Sequence, residues 1–102
     1  MTQAQLLRSD GSRHDINPKN GKRFTFVGEA YPLIGATMIQ VCETHDGRVL
    51  LVDEEGKLAD KRVNEAATAL YLYGADDPIV GDAIVCDKRQ WLEALHHYGT
   101  RD

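Results

Sequence analysis

The run Asp53-Glu54-Glu55-Gly56-Lys57 sets three carboxylates, a glycine and a cation side by side, a dense group of reactive side chains in a sequence of 102 residues. Consecutive carboxylates supply the hard oxygens that Mg²⁺ and Ca²⁺ prefer. The alternating D-x-D-x-D-G spacing that turns such oxygens onto one ion is missing, so no metal is expected here. The run reads instead as a turn leaving a strand, with Gly56 at a positive φ and the acids displayed to a partner. Gly56-Lys57 also invites comparison with a phosphate loop. That motif requires a glycine five positions before Gly56 and a hydroxyl after the lysine, and Leu51 and Leu58 stand at those places.

A second chemistry lies just downstream. Lys57, Lys61 and Arg62 precede Asn64, which marks a helix start before Glu65-Ala66-Ala67, and free N–H groups at a helix start attract anions. Tyr71, further along that helix, offers a face on which a purine could stack while Lys57 or Arg62 takes a phosphate. The candidate ligand- or partner-binding residues are therefore Asp53, Glu54, Glu55, Lys57, Lys61, Arg62, Asn64 and Tyr71. No catalytic residue, metal ligand or cofactor is expected.

The remaining reactive side chains have plainer readings. Cys42 and Cys86 each sit in an apolar run, far from the C-x-x-C spacing of zinc and thioredoxin sites, and are expected as buried free thiols. His45 follows Cys42 by three positions, but a nucleophilic pair would need a strand and its turn to converge. His96 and His97 are adjacent, so on a helix they point about 100° apart and do not share a metal. Tyr71, Tyr73, Trp91 and Tyr98 are expected as core or interface anchors, with base stacking the sharper alternative.

Charge narrows the partner. Residues 1–42 carry five basic and three acidic side chains, residues 43–82 four and ten, and residues 83–102 three and three, which sum to -4. A nucleic-acid binder needs a basic patch, and Lys19, Lys22 and Arg23 are the one small cluster, expected as a solvated loop. No apolar run approaches the ~20 residues that span a bilayer, and the first ten residues lack a charged start and an apolar stretch. The expected location is the cytoplasm, with no membrane partner.

These side chains need elements to position them. Residues 3–8 and 13–16 flank an Asp10-Gly11 turn as a small hairpin. Thr25 is expected to cap a short helix from Phe26 to about Ile34 with Gly35 as its stop, made irregular by Pro32. Thr37 to Thr44 and Arg48 to Asp53 form a hairpin around His45-Asp46-Gly47. The unbroken run Val49-Leu50-Leu51-Val52 marks its second strand as covered on both faces. A helix follows from Asn64 to Tyr73, stopped by Gly74, then a strand from Ile79 to Cys86 in which Gly81 signals a bulge or close approach. Asp87 caps a last helix from Lys88 to about Tyr98. The result is one domain of the α+β class, with an antiparallel sheet of about four or five strands built on the central hairpin and covered by two or three helices.

Residues 24–86 resemble an uncharacterised small-domain family of bacteriophages, plasmids and the bacteria that carry them. The resemblance is carried by Phe24-Thr25, Ile34-Gly35, Ile39-Gln40-Val41, Leu51 to Lys57, Asn64 with Ala67, and Pro78 to Val85. The family's acidic loop more often opens with Asn than with Asp53, and its first helix does not usually carry a proline such as Pro32. The resemblance implies origin in a mobile genetic element and not a reaction. By analogy it implies a non-enzymatic binding protein that inhibits a host protein or sequesters a small nucleotide-like ligand, in the host bacterial cytoplasm. The expected fold separately suggests a homodimer through a self-associating sheet edge. Two other classes remain open: a metal-assisted hydrolase using Asp53, Glu54, Glu55 and Asp82, and a nucleic-acid-binding regulator using Lys19, Lys22 and Arg23.

Overall fold

A computed structural model describes residues 3–90. Its strands are β1 (Gln5–Leu7), β2 (Arg13–Asp15), β3 (Ile39–Glu43), β4 (Val49–Asp53) and β5 (Ala83–Cys86). They form one antiparallel sheet in the order β2-β1-β5-β4-β3. The fold is α+β, as expected. The β3–β4 hairpin takes one end of this sheet, and the middle belongs to β5, the last strand among the described residues.

Alternation along the inner strands builds two cores. Leu6, Val49, Leu51, Ile84 and Cys86 point to one face, and Leu7, Leu50, Val52, Ala83 and Val85 to the other. The first face is covered by a π-helical turn (Phe26–Ala30) running into α1 (Tyr31–Ile34), through Ala30 and Ile34 beside Phe24. The second is covered by α2 (Glu65–Leu70) through Ala67. Apolar residues at every position from 49 to 52 are therefore all needed, because β4 has helix on both sides. Each such side chain contributes about 1.5–3 kcal/mol when fully buried.

The two-faced sheet also settles the cysteines. Both thiols are free and buried, Cys86 in the first core and Cys42 in the second.

Pro32 is the second residue of α1, directly after the π-helical turn, and Gly35 ends that helix at φ 66. The irregularity lies upstream, where Thr25 C=O accepts from both Glu29 N–H and Ala30 N–H. Thr25 occupies the cap position but does not cap with its side chain. Its hydroxyl and N–H both donate to Glu29, at 3.0 and 2.9 Å.

The α2 helix ends at Leu70, short of the expected Tyr73. Leu70 C=O accepts from His45 N–H, and Leu72 N–H donates to Glu43 C=O. Backbone pairing to the edge of β3 thus takes over the groups that helix propagation would use. The expected last helix has its first residues, 88–90, in helical form, and the rest of it, with Trp91, His96, His97 and Tyr98, lies outside the described residues.

Candidate functional site

Of the expected site residues, Asp53, Lys61 and Asn64 are engaged within the fold, whereas Glu54, Glu55, Lys57 and Arg62 are exposed. Asp53 is the last residue of β4, with its side chain 7% exposed. One carboxylate oxygen accepts from the Glu55 N–H at 2.9 Å, and the other meets Lys61 Nζ at 2.7 Å. Lys61 Nζ also donates to the C=O of Gly35 at 2.9 Å, one of the carbonyls that the end of α1 leaves without an intrahelical partner. Its stem lies against Gly81, where a Cβ would come within 2.8 Å of Lys61 Cδ. Gly81 is therefore a close approach, at φ 79. Lys61 is a brace between α1, β4 and the segment before β5.

Asn64 is fully buried at 0% exposure. Its side-chain oxygen accepts from Ala67 N–H, the capping bond the sequence predicts, and its amide donates to Leu7 C=O at 2.8 Å and Gly81 C=O at 2.9 Å. The carboxamide has no donor left for a ligand. The expected anion seat is thereby corrected: Asn64 is a structural keystone, and Lys61 is neutralised by Asp53. Lys57 also stands apart from the other two cations. Lys57 forms an ion pair with Asp77. Arg62 lines a separate cavity of about 220 Å³ with Lys61, Ser9 and Asp82.

Gly56 requires a correction as well. Its φ is not positive, and the non-glycine residue at positive φ in this loop is Asp60, at 56°. Glycine is needed at 56 for packing, since a Cβ there would lie 2.8 Å from Val80 Cγ2.

What the fold does bring together is a small cleft of about 80 Å³ at the β3 edge, lined by Gln40, Cys42, Asp53, Glu54, Lys57 and Asp77. Glu54 and Glu55 are exposed, and Lys57 closes on Asp77. Tyr71 is half-buried beside the Cys42 thiol and packs edge-on against Tyr73, with centroids 5.8 Å apart. Burial pushes the Cys42 thiol above its usual pKa against a lowering contact from Tyr71, so this sulfur is not a thiolate nucleophile. Sequence reasoning missed Asp77 and Gln40. Asp77 read as part of a turn before Pro78, and nothing local pairs it with a lysine twenty positions earlier.

The hydrolase set does not assemble. Asp53 is taken by Lys61, and Asp82 accepts from Arg8 at 3.2 Å and the Ser9 N–H at 2.9 Å. Among the described residues no three His, Cys, Asp or Glu side chains are placed to hold a metal ion. The basic cluster is a loop organised from within: Asn20 accepts from the N–H groups of Lys22 and Arg23, and Glu29 accepts from that of Lys19.

Comparison with protein-family models, curated proteins and solved structures finds no match to this chain. No helix among the described residues is long and apolar enough to cross a membrane.

Proposed function

We propose that this chain is a non-enzymatic binding protein of a mobile genetic element that acts by docking on a host protein through the acidic surface around the β4 exit. The observation that carries the docking surface is the fate of the charges. Arg48 is held by Asp46, Lys57 by Asp77 and Lys61 by Asp53. Glu43, Glu54, Glu55 and Asp76 are exposed and form no ion pair among the described residues. The acid surplus of residues 43–82 is thus displayed at the surface, where it steers a basic partner. Origin in a mobile element rests on the sequence resemblance.

A sequestered nucleotide has less support. The cleft beside Lys57 measures about 80 Å³, whereas pockets for drug-sized ligands occupy roughly 300–1,000 Å³. Lys61 and Asn64 are engaged internally, and Arg62 lines the separate cavity of about 220 Å³.

The test is affinity capture from host lysate with the wild-type chain and with Glu54→Lys/Glu55→Lys, at two salt concentrations. The expected result is one stoichiometric partner, weakened by added salt and lost in the charge-reversed variant. Heating the wild-type protein and weighing released small molecules gives the opposing outcome. A stoichiometric nucleotide there, with capture unaffected by charge reversal, overturns the reading.

A further inference from the structure

The sheet has two edges, and the fold treats them differently. On the outer strand β2, Arg13, His14 and Asp15 are all exposed, a short charged edge of the kind that discourages pairing. The β3 edge is apolar and half closed. Met38 C=O accepts from Glu54 N–H, and Thr44 N–H donates to Arg48 C=O, so the even-numbered residues of β3 face β4. The backbone groups of Ile39, Val41 and Glu43 then point outward. Glu43 C=O is taken by Leu72 N–H. Among the described residues, no partner meets the N–H and C=O groups of Ile39 and Val41 or the N–H of Glu43.

We propose that this open stretch of β3 is a strand-addition site for an extended, basic segment of the partner protein. This rests on the binding-protein reading and names the mode of docking. Main-chain hydrogen bonds to a sheet edge supply affinity, and alternate side chains supply specificity. One set of incoming side chains meets the half-buried Ile39 and Val41, which pack on the α1 face. The other set lies over Gln40 and the mouth of the cleft, where Glu54 is the unpaired acid and Lys57 closes on Asp77. Glu54 stands beyond one end of the open stretch and Glu43 at the other. An incoming strand that alternates apolar and cationic residues satisfies both rows.

The same geometry disfavours a second copy of the chain. An antiparallel β3 centred on Gln40 would place its Glu43 opposite Thr37, but the position beside each Glu43 is already filled by Leu72 of the same chain. It would also bring the acidic ends of two copies together.

The experiment titrates the full chain with a short, fluorescently labelled, end-capped peptide of alternating lysine and valine, and with a glutamate–valine control. Saturable binding of the lysine peptide alone is expected, with amide-exchange protection appearing at Ile39 and Val41 while Gln40 and Cys42 stay as they were. Val41→Pro removes an outward N–H without touching the β3–β4 ladder, and should weaken binding about tenfold or more with the melting temperature little changed. Should Val41→Pro compromise folding, the protection pattern in the wild-type chain decides alone. No binding by the lysine peptide, or protection away from β3, overturns strand addition. The acidic-surface reading then stands or falls separately on the charge-reversal capture. Concentration-dependent dimerisation that Val41→Pro abolishes, without peptide binding, assigns the edge to a second copy and also overturns the inference.

Discussion

Lys61 Nζ lies 2.7 Å from Asp53 Oδ2 and 2.9 Å from the Gly35 carbonyl, so one ammonium joins the end of α1 to the end of β4. A lysine that reads as an anion clamp is therefore part of the scaffold. Lys61→Met keeps the stem against Gly81 but leaves the Asp53 carboxylate without its counter-charge. The expected loss is about 2–3 kcal/mol, below that of a fully buried pair because the Lys61 side chain keeps 24% exposure. Urea unfolding of the two proteins measures it, and an unchanged midpoint would remove Lys61 from the scaffold.

Asn64 makes the sharper stability prediction. Asn64→Ala strands the carbonyls of Leu7 and Gly81 in the core and deletes the α2 cap, for a loss of about 3 kcal/mol or more. Asn64→Asp should be no milder, although it is isosteric. It keeps the cap to Ala67 but turns a carboxylate oxygen toward those two carbonyls. A well-tolerated Asn64→Asp in thermal unfolding contradicts the donor assignment.

At Gly56 the cost is steric rather than conformational. Gly56→Ala drives a methyl group against Val80 and should lose about 1–3 kcal/mol. Val80→Ala opens the space, so the double variant should lose less than the sum of the two single changes. Strict additivity in the cycle would show that the Val80 contact is not what requires glycine.

Glu29 predicts a pH dependence. Burial raises its pKa, but the N–H groups of Thr25 and Lys19 and the Thr25 hydroxyl outweigh that and hold the carboxyl below its ordinary value. A depressed acid stabilises the fold when ionised, so its contribution is present above the unfolded value of about 4.3 and fades as pH falls through the lower, folded value. The melting-temperature gap between wild type and Glu29→Gln should accordingly be widest near neutrality and close under acid. A gap that widens under acid would reverse the sign.

The thiols should be inert. Burial pushes Cys86 up to about 12, with Asp87 adding to the rise, and Cys42 is raised in the opposite core. A thiol-modifying reagent should label both slowly in the native protein and quickly in denaturant, and mass measurement after mild oxidation should find no internal disulfide.

Much of this molecule is legible from residue order alone. The β4 run Val49 to Val52 announces a strand buried on two faces because period-2 geometry sends alternate side chains to opposite sides, and all four are apolar. Asn64 announces a helix start because its short side chain can satisfy an unpaired N–H. The Asp46-Gly47 turn fixes the β3–β4 hairpin for a similarly local reason.

The tertiary structure decided what is non-local. Only chain folding puts β5 in the middle of the sheet, sets Asp77 against Lys57, and brings Leu7 and Gly81 to the amide of Asn64. It shortens α2 because the β3 edge competes for the carbonyl of Leu70 and the N–H of Leu72. It also redistributes the candidate site. Charged side chains adjacent in sequence found separate partners across the fold, since a buried or half-buried charge is stable only where an opposite charge or a donor meets it. What the sequence determined at the β4 exit was an acidic turn. Which acids remain free there, and which edge they flank, followed from where the cations went.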